Sequence, residues 1–300
     1  MVEKSDSPRN RFAAVGLIGR PGSQVADSLQ AVIDCLDERG LEVVVEERTA
    51  GMLGESGQTT ADRPSMGRRC DLVVVVGGDG SLLGVGRELA HTGVPVLGIN
   101  RGGLGFLADI APEQIHRQLG EVLDGDYRVE EHFLLEADVC RGDERIDGSP
   151  ALNDVVVHPG SMARMMEFSL EVDGEFVYDQ RSDGLIVASP TGSTAYALSA
   201  GGPIMHPSLD AIVIVPMFPH TLTSRPLVVR GASEIAVTLG TVDSAKVNCD
   251  SQVDFDLRSG DTVRIRKYAT PLRLLYTYGH SFYESCRSKL DWASRLGGRE

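Results

Sequence analysis

Three hundred residues exceed what one hydrophobic core usually organises, and they point to two domains large enough to fold without disulfide staples. Against 29 basic residues stand 43 acidic ones, a formal net charge of −14, which excludes a broad electrostatic footprint for nucleic acid or an anionic membrane. Any phosphate ligand must therefore be held by local arginines, backbone amides or a cation. The five cysteines (Cys35, Cys70, Cys140, Cys249, Cys286) include no CxxC pair, arguing for reduced thiols in a cytoplasmic protein and against structural zinc. The polar start, MVEKSDSPRN, reads as a frayed terminus without an apolar h-region, and no apolar run approaches membrane-spanning length.

Residues 12–18 read as a buried strand, followed by GRPGS and a helix with Val25, Ala26, Leu29, Val32, Ile33 and Leu36 on one face, ended by Gly40. Leu41 to Val45 form a second strand. The polar residues 48–69 read as a loop, long enough to be a mobile lid. DLVVVVGGDGSLLGVGRELA, residues 71–90, opens with Val73 to Val76, a run that suits a strand buried on both faces. With Ser81 as N-cap, Leu82, Leu83, Val85, Leu89 and Ala90 then recur at helical spacing up to Gly93. VPVLGIN, 94–100, is a further strand. Alternating strands and helices predict a doubly wound, Rossmann-like parallel sheet over residues 1–130. Ligands of such sheets bind outside the carboxyl ends of the strands, where Gly77 to Gly80 and Asn100 to Gly105 both fall.

From residue 131 to 275 the pattern becomes mostly β, a sandwich or barrel. FLLEADVC (133–140), ALNDVVVH (151–158), MEFSLEVDGEFVYD (166–179), LIVAS (185–189), AIVIVP (211–216), IAVTL (235–239) and DTVRIRK (261–267) are strand-like, and Asp173-Gly174 is a hairpin signal. Residues 276–300 regain helical character through Tyr283, Cys286, Leu290 and Trp292, as a segment that packs back on the first domain.

Chemistry concentrates first in Gly77-Gly78-Asp79-Gly80. A strand-to-helix corner gathers backbone N–H groups and the positive end of a helix dipole, which suits an anion. The loop lacks the Gly-Lys-Ser/Thr of a P-loop, and Leu83 stands where a dinucleotide fingerprint needs its third glycine. A carboxylate beside phosphate is repelled by it, so Asp79 is sensible mainly as a metal ligand or proton acceptor; in isolation, an ordinary Asp-Gly turn explains it equally. Among seven histidines no HExxH or paired-ligand spacing occurs, so no transition-metal site is expected, and His158 and His220 read as structural hydrogen-bonders.

Together with INRGGLGFLADI (99–110), ALNDVVVHPG (151–160) and RSDGLIVASPTGSTAYALSAGGPI (181–204), the glycine loop resembles the NAD kinases, the bacterial branch in particular, from about Leu72 to Val229. The resemblance implies ATP-dependent phosphorylation of the adenosine-ribose 2′-hydroxyl of NAD to give NADP, with Asp79 as catalytic base between Gly78 and Gly80. It implies that Asn153 and Asp154 clamp the nicotinamide-side ribose, with Asp where relatives often carry Glu. Thr194, Ala195, Tyr196, Ala197, Leu198 and Ser199 match the stretch that contacts adenine and nicotinamide. Asp183 resembles a cap on the carboxamide reached across a subunit boundary. Arg164 and Arg181 match site-lining cations, Gln252 a ligand-side position and Phe106 a pocket wall. Arginine at position 181 goes, in the family, with preference for oxidised NAD over NADH, and cationic crowding near the nicotinamide is a reason for it. The family further implies Mg²⁺ or another divalent cation with ATP, with no protein ligand named for it beyond Asp79 and Asp154 in an outer shell, and homodimers or homotetramers with shared sites. The competing readings are a related kinase acting on a lipid or sugar hydroxyl, disfavoured by the absence of a membrane-docking segment, and an NAD(P) sensor without turnover, disfavoured by Asp79 itself.

Overall fold

A computed structural model describes residues 12–22, 25–54, 57–101, 105–160 and 165–292. The polar terminus 1–11, residues 102–104 of the INRGGLGF stretch, Arg164 and residues 293–300 lie outside the described residues. The chain divides into two compact units, one ending at Glu131 and taking in Leu272 onward, the other running from His132 to Pro271.

The first unit carries a seven-stranded sheet in the order Thr59–Ala61, Glu42–Glu46, Ala14–Gly19, Leu72–Val76, Val96–Ile99, Leu272–Tyr276 and Arg128–His132. The pairings from Thr59–Ala61 through to Leu272–Tyr276 are parallel. Ala14–Gly19 and Leu72–Val76 are buried at every position, because helices and loops cover both faces; the continuous apolar runs follow from that. Chain order reverses between these two strands, so the crevice at their carboxyl ends is the topological switch point. Gly19-Arg20 leaves one strand there and Gly77-Gly78 the other, tied by the Arg20 N–H to the Val76 carbonyl at 3.0 Å.

Two expectations in this unit are corrected. Residues 48–69 are not a loop: they hold a helix at Glu47–Leu53, a strand at Thr59–Ala61 and a helix at Arg63–Arg69. The Asp62 carboxylate caps the last of these through Ser65 N–H at 2.8 Å, with proline in the first turn, and Arg63 reaches buried Glu46 at 2.6 Å. That ordering removes the premise for a lid. Nor is Ser81 an N-cap. The Asp79–Leu89 helix is capped three residues earlier at Gly78, whose carbonyl already accepts Ser81 N–H at 2.9 Å, and Gly93 closes the following turn in the left-handed region at φ 72°.

The second unit is a sandwich of two six-stranded sheets, with antiparallel pairing throughout the recorded registers. Alternate residues of both sheets, among them Phe168, Leu170, Val237, Val155, Leu185 and Ile214, share one core. The sheet holding Gly184–Ala188 and Ala211–Met217 is covered on its other face too, where Val156, Ile186 and Val213 pack with Ala197 and Met205; LIVA and AIVIV are therefore apolar at consecutive positions. ALNDVVVH is not one strand. Ala151 ends a strand of one sheet and Asp154 begins a strand of the other, so Leu152-Asn153 turns the corner between them. Among the described residues the segment from Tyr276 is helical over Phe282–Lys289, after a strand at Leu272–Tyr276 that belongs to the first sheet.

Candidate active site

In the first unit the site is built on the glycine loop at the switch point. A Cβ on Gly77 would lie 2.5 Å from Ser81 Oγ, so the helix start crowds that position against its own strand. At Gly78 and Gly80 nothing lies within 4 Å of an added Cβ. Among the described residues no neighbour demands glycine at those two positions, and the space they leave open flanks the positive end of the helix.

The Asp79 carboxylate turns away from its own helix toward residues 105–108. Oδ2 accepts the Phe106 N–H at 2.9 Å, and Oδ1 accepts those of Leu107 and Ala108 at 3.2 and 3.3 Å. Gly105 permits this approach, since a Cβ there would meet Oδ1 at 2.3 Å. Ala108 is in turn pressed against Gly98, where a Cβ would lie 2.9 Å from its Cα. A carboxylate offers about four lone-pair sites, so Oδ2 retains capacity for an incoming hydroxyl. The Phe106 ring is half-buried, 6.4 Å from that of Phe282. Arg20, which the motifs did not single out, stands exposed at the same strand end, its Cβ 3.4 Å from the Gly77 Cβ position.

In the second unit the corner Leu152-Asn153-Asp154 is gripped by one buried carboxylate. Asp250 Oδ2 accepts Leu152 N–H at 2.9 Å, and Oδ1 accepts those of Asn153 and Asp154 at 2.7 and 3.2 Å. Asp250 and Ser251 both sit in the left-handed region at φ 55°, closed by Gln252 N–H to the Cys249 carbonyl at 3.0 Å. Asp154, 3 % exposed, is thus buried beside a second carboxylate. Burial first, and the Asp250 charge second, push its carboxyl up to about 7. The family resemblance singled out Gln252, which is exposed, and passed over Asp250; a carboxylate acting 96 to 98 residues away leaves no periodic signal.

The TGSTAY stretch leans on that corner. Ser189 N–H donates to the Asn153 carbonyl at 2.9 Å and its hydroxyl to that of Leu152 at 2.5 Å, while Ser193 Oγ accepts Met205 N–H at 2.8 Å. Gly192 passes so close that a Cβ would lie 2.0 Å from the Asn153 carbonyl oxygen. Gly192→Ala therefore displaces Asn153 at a cost of about 1–3 kcal/mol of overpacking. Lower thermal stability is expected, and an unchanged Tm would refute the contact's importance.

The remaining sequence-selected residues divide by exposure. Thr194, Ala195 and Leu198 are half-buried, Tyr196 is 42 % exposed and Ser199 exposed, so all five present atoms to solvent. Ala197 does not: it is fully buried in the sheet-covering core, and its methyl anchors the Tyr196–Ser199 helix. Asp183 is exposed at the end of the Glu175–Ser182 strand, its N–H bound to the Met217 carbonyl at 3.0 Å. Arg181 lines a cleft of about 480 Å³ with Glu167, Phe168, Asp179, His220 and Thr221, and its guanidinium lies 3.9 Å from Glu167. His158 Nδ1 lies 2.9 Å from the Pro159 carbonyl, and His220 N–H donates to the Arg181 carbonyl at 3.0 Å. All five cysteines are buried thiols. Among the described residues no group of three or more His, Cys, Asp or Glu side chains is placed to hold a metal ion, and no helix is long and apolar enough to cross a membrane.

This geometry has known counterparts. Residues 15–127 match the ATP-NAD kinase N-terminal domain and residues 152–276 the ATP-NAD kinase C-terminal domain. The chain is 53 % identical over 289 residues to an NAD kinase of Chromohalobacter salexigens, covering 95 % of this chain and 99 % of that one. It is 56 % identical over 290 residues to an NAD kinase of Pseudomonas aeruginosa, covering 96 % and 98 %. Among solved structures, yeast NADH kinase complexed with NADH superposes at a TM-score of 0.87 with 25 % identity, over 98 % of this chain and 95 % of that one. An NAD kinase from Archaeoglobus fulgidus in complex with ATP gives a TM-score of 0.74 with 26 % identity, over 93 % and 98 %. With both domains matched and more than half of all residues shared with such relatives, the chain belongs to the ATP-NAD kinase family and is an ATP-dependent NAD kinase.

Proposed function

We propose that the enzyme transfers the γ-phosphate of ATP to the adenosine-ribose 2′-hydroxyl of NAD, with Asp79 as the general base. The observation that carries this reading is the Asp79 carboxylate, oriented by three backbone amides at the mouth of an open glycine loop at the switch point. Held in that way, Oδ2 accepts the 2′-hydroxyl proton as the oxygen attacks the γ-phosphorus. The bond to the β-γ bridging oxygen breaks and ADP leaves with that electron pair. Phosphoryl transfer asks little covalent work of a protein, so positioning and charge neutralisation supply the rest. We assign the phosphates to the space left open at Gly78 and Gly80, with Arg20 as the local cation that a chain of net charge −14 needs there.

Asn153 and Asp154 suit a vicinal diol, whose hydroxyls each donate and accept, and we assign them to the nicotinamide-side ribose. The solvent-facing Thr194, Ala195, Tyr196, Leu198 and Ser199 are assigned to the flat rings, where small side chains allow close approach and Tyr196 offers a stacking face. Ala197 supports them from the core. Asp183, Phe106, Arg164 and Gln252 keep the ligand-lining roles implied by resemblance. The described residues offer no cage for a divalent cation; one brought in with ATP would supply neutralisation of its phosphate charge. Assembly into a homodimer or homotetramer is supported by exposed apolar side chains in one stretch, Phe218, Leu222, Leu227 and Val228. A cytoplasmic setting fits the five buried thiols.

The test is NADP formation by the purified protein with ATP, Mg²⁺ and NAD, run beside NADH. Arg181 sets the acceptor preference in this reading. A positive charge alone would favour the uncharged dihydronicotinamide, so the selection must come from crowding of its puckered ring. NAD is expected to exceed NADH in kcat/KM by at least about tenfold, roughly 1.4 kcal/mol, and Arg181→Gly to narrow the gap. Equal use of both acceptors by the parent enzyme would remove Arg181 from the specificity determinants.

A further inference from the structure

The amides that hold Asp79 belong to a stretch that is itself tethered. Its next residue, Asp109, turns its carboxylate the opposite way, into the turn that follows the Leu272–Tyr276 strand. Oδ2 accepts both the Thr277 N–H at 2.7 Å and the Thr277 hydroxyl at 2.8 Å, and Oδ1 lies 3.0 Å from His280 Nδ1. Both side chains are nearly sealed from water, at 7 % and 5 % exposure. Burial pushes the Asp109 carboxyl up, but the hydrogen bonds from His280 and Thr277 outweigh it and hold the group below the usual carboxylate range. The His280 ring stacks on the buried Tyr276 ring at 4.0 Å, and its carbonyl accepts Arg128 Nη2 at 2.9 Å. On the other side, Asp109 and Ile110 N–H groups return to the Gly98 carbonyl, and Asn100 N–H to that of Ile110. Residues 105–110 thus fold back along the Val96–Ile99 strand with one face gripping Asp79 and the other pinned to a segment some 170 positions later.

We propose that Asp109, Thr277 and His280 are positioning residues for phosphoryl transfer: a buried latch that fixes the 106–108 amides and, through them, the direction of the Asp79 carboxylate. The inference rests on Asp79 being the reacting carboxylate. Its logic is geometric. Three N–H donors orient a base only if their own backbone is fixed, and misplacement of a reacting group by about 1 Å costs on the order of a hundredfold in rate. The latch touches neither ATP nor NAD in this reading, so its loss acts on kcat and leaves both KM values in place.

His280→Phe tests it, because phenylalanine keeps the ring against Tyr276 and removes the donor to Asp109; Thr277→Val, which removes only the hydroxyl, is the milder second variant. The full chain is assayed for NADP formation, and backbone amide exchange is followed residue by residue. For His280→Phe, kcat is expected to fall about tenfold to a hundredfold with both KM values within about twofold of the parent. Exchange at Phe106, Leu107 and Ala108 should quicken while Val73–Val76 stays protected. His280→Asn, whose side-chain amide replaces the Nδ1 donor, should recover most of the loss. A folded His280→Phe enzyme with parental kcat overturns the proposal, as does a fall in kcat with unchanged exchange at 106–108. Should the parent make no NADP, the assigned reaction fails, and exchange alone then decides: faster exchange keeps the latch, unchanged exchange removes it.

Discussion

Asp79→Asn is expected to reduce NADP formation by about 10² to 10⁴-fold while the protein stays folded and binds NAD. The amide keeps one acceptor oxygen but cannot take the 2′-hydroxyl proton at neutral pH. Both carboxylate oxygens are in use, Oδ2 by Phe106 N–H and Oδ1 by Leu107 and Ala108 N–H, so the new NH₂ must also face at least one donor. Part of the loss therefore comes from a loosened 105–108 stretch. That part is separable, because the latch variants loosen the same amides and leave the carboxylate intact. The measurements are steady-state NADP formation and calorimetric NAD affinity on the same preparation. Turnover within about tenfold of the parent would dismiss Asp79 as base. Loss of NAD affinity in step with turnover would make it a binding group instead.

How far the sequence carried depended on the range over which each feature acts. Four valines before a glycine loop specify a buried strand and its corner locally, and both stand as expected. So does the Asp173-Gly174 hairpin, with both residues left-handed at φ 54° and 78°. Illegible were strands with a solvated face or an edge position, such as Glu144–Ala151, whose ERIDGSP carries Gly, Pro and only one strand-favouring residue, Ile146. The Asp62 cap was present in the sequence as Asp-Arg-Pro-Ser, yet the polar composition around it outweighed the signal. In the site, Asp79 could be singled out because a carboxylate in a phosphate-binding loop contradicts electrostatics unless it has work to do. Asp250, Gly105 and Gly192 carried no such contradiction. Each matters because of a close approach made across the fold, 96 to 98 residues away for Asp250 and 26 to 39 for the two glycines, and no local pattern encodes such a distance.

The buried pair Asp154 and Asp250 leads to the second large effect, in which stability and binding move oppositely. Asp154 has a carboxyl at about 7 in the folded protein against an ordinary value of 3.8. Between those values the folded state holds a proton that the unfolded state has released, so stability falls as pH rises through that window. Above about 7 the full cost of a buried carboxylate beside Asp250 remains; below about 4 it vanishes because both states are protonated. Asparagine imitates the protonated form at every pH. Asp154→Asn should therefore match the parent near pH 4 and exceed it at pH 8 by a few kcal/mol at most, with roughly 2–4 °C of Tm for each kcal/mol. The same substitution removes the anionic acceptor assigned to a ribose hydroxyl, so NAD affinity should drop at pH 8. In the parent, affinity should rise between pH 6 and pH 8 as Asp154 ionises, and in the variant that rise should disappear. Tm measured for both proteins across pH 4 to 8.5, and NAD affinity across pH 6 to 8.5, test the argument. A variant less stable than its parent at pH 8 would mean that the carboxylate is better solvated or better paired than its burial beside Asp250 implies. A variant that is more stable yet binds NAD as tightly would place the ribose contact elsewhere, leaving Asn153 as the residue to replace next.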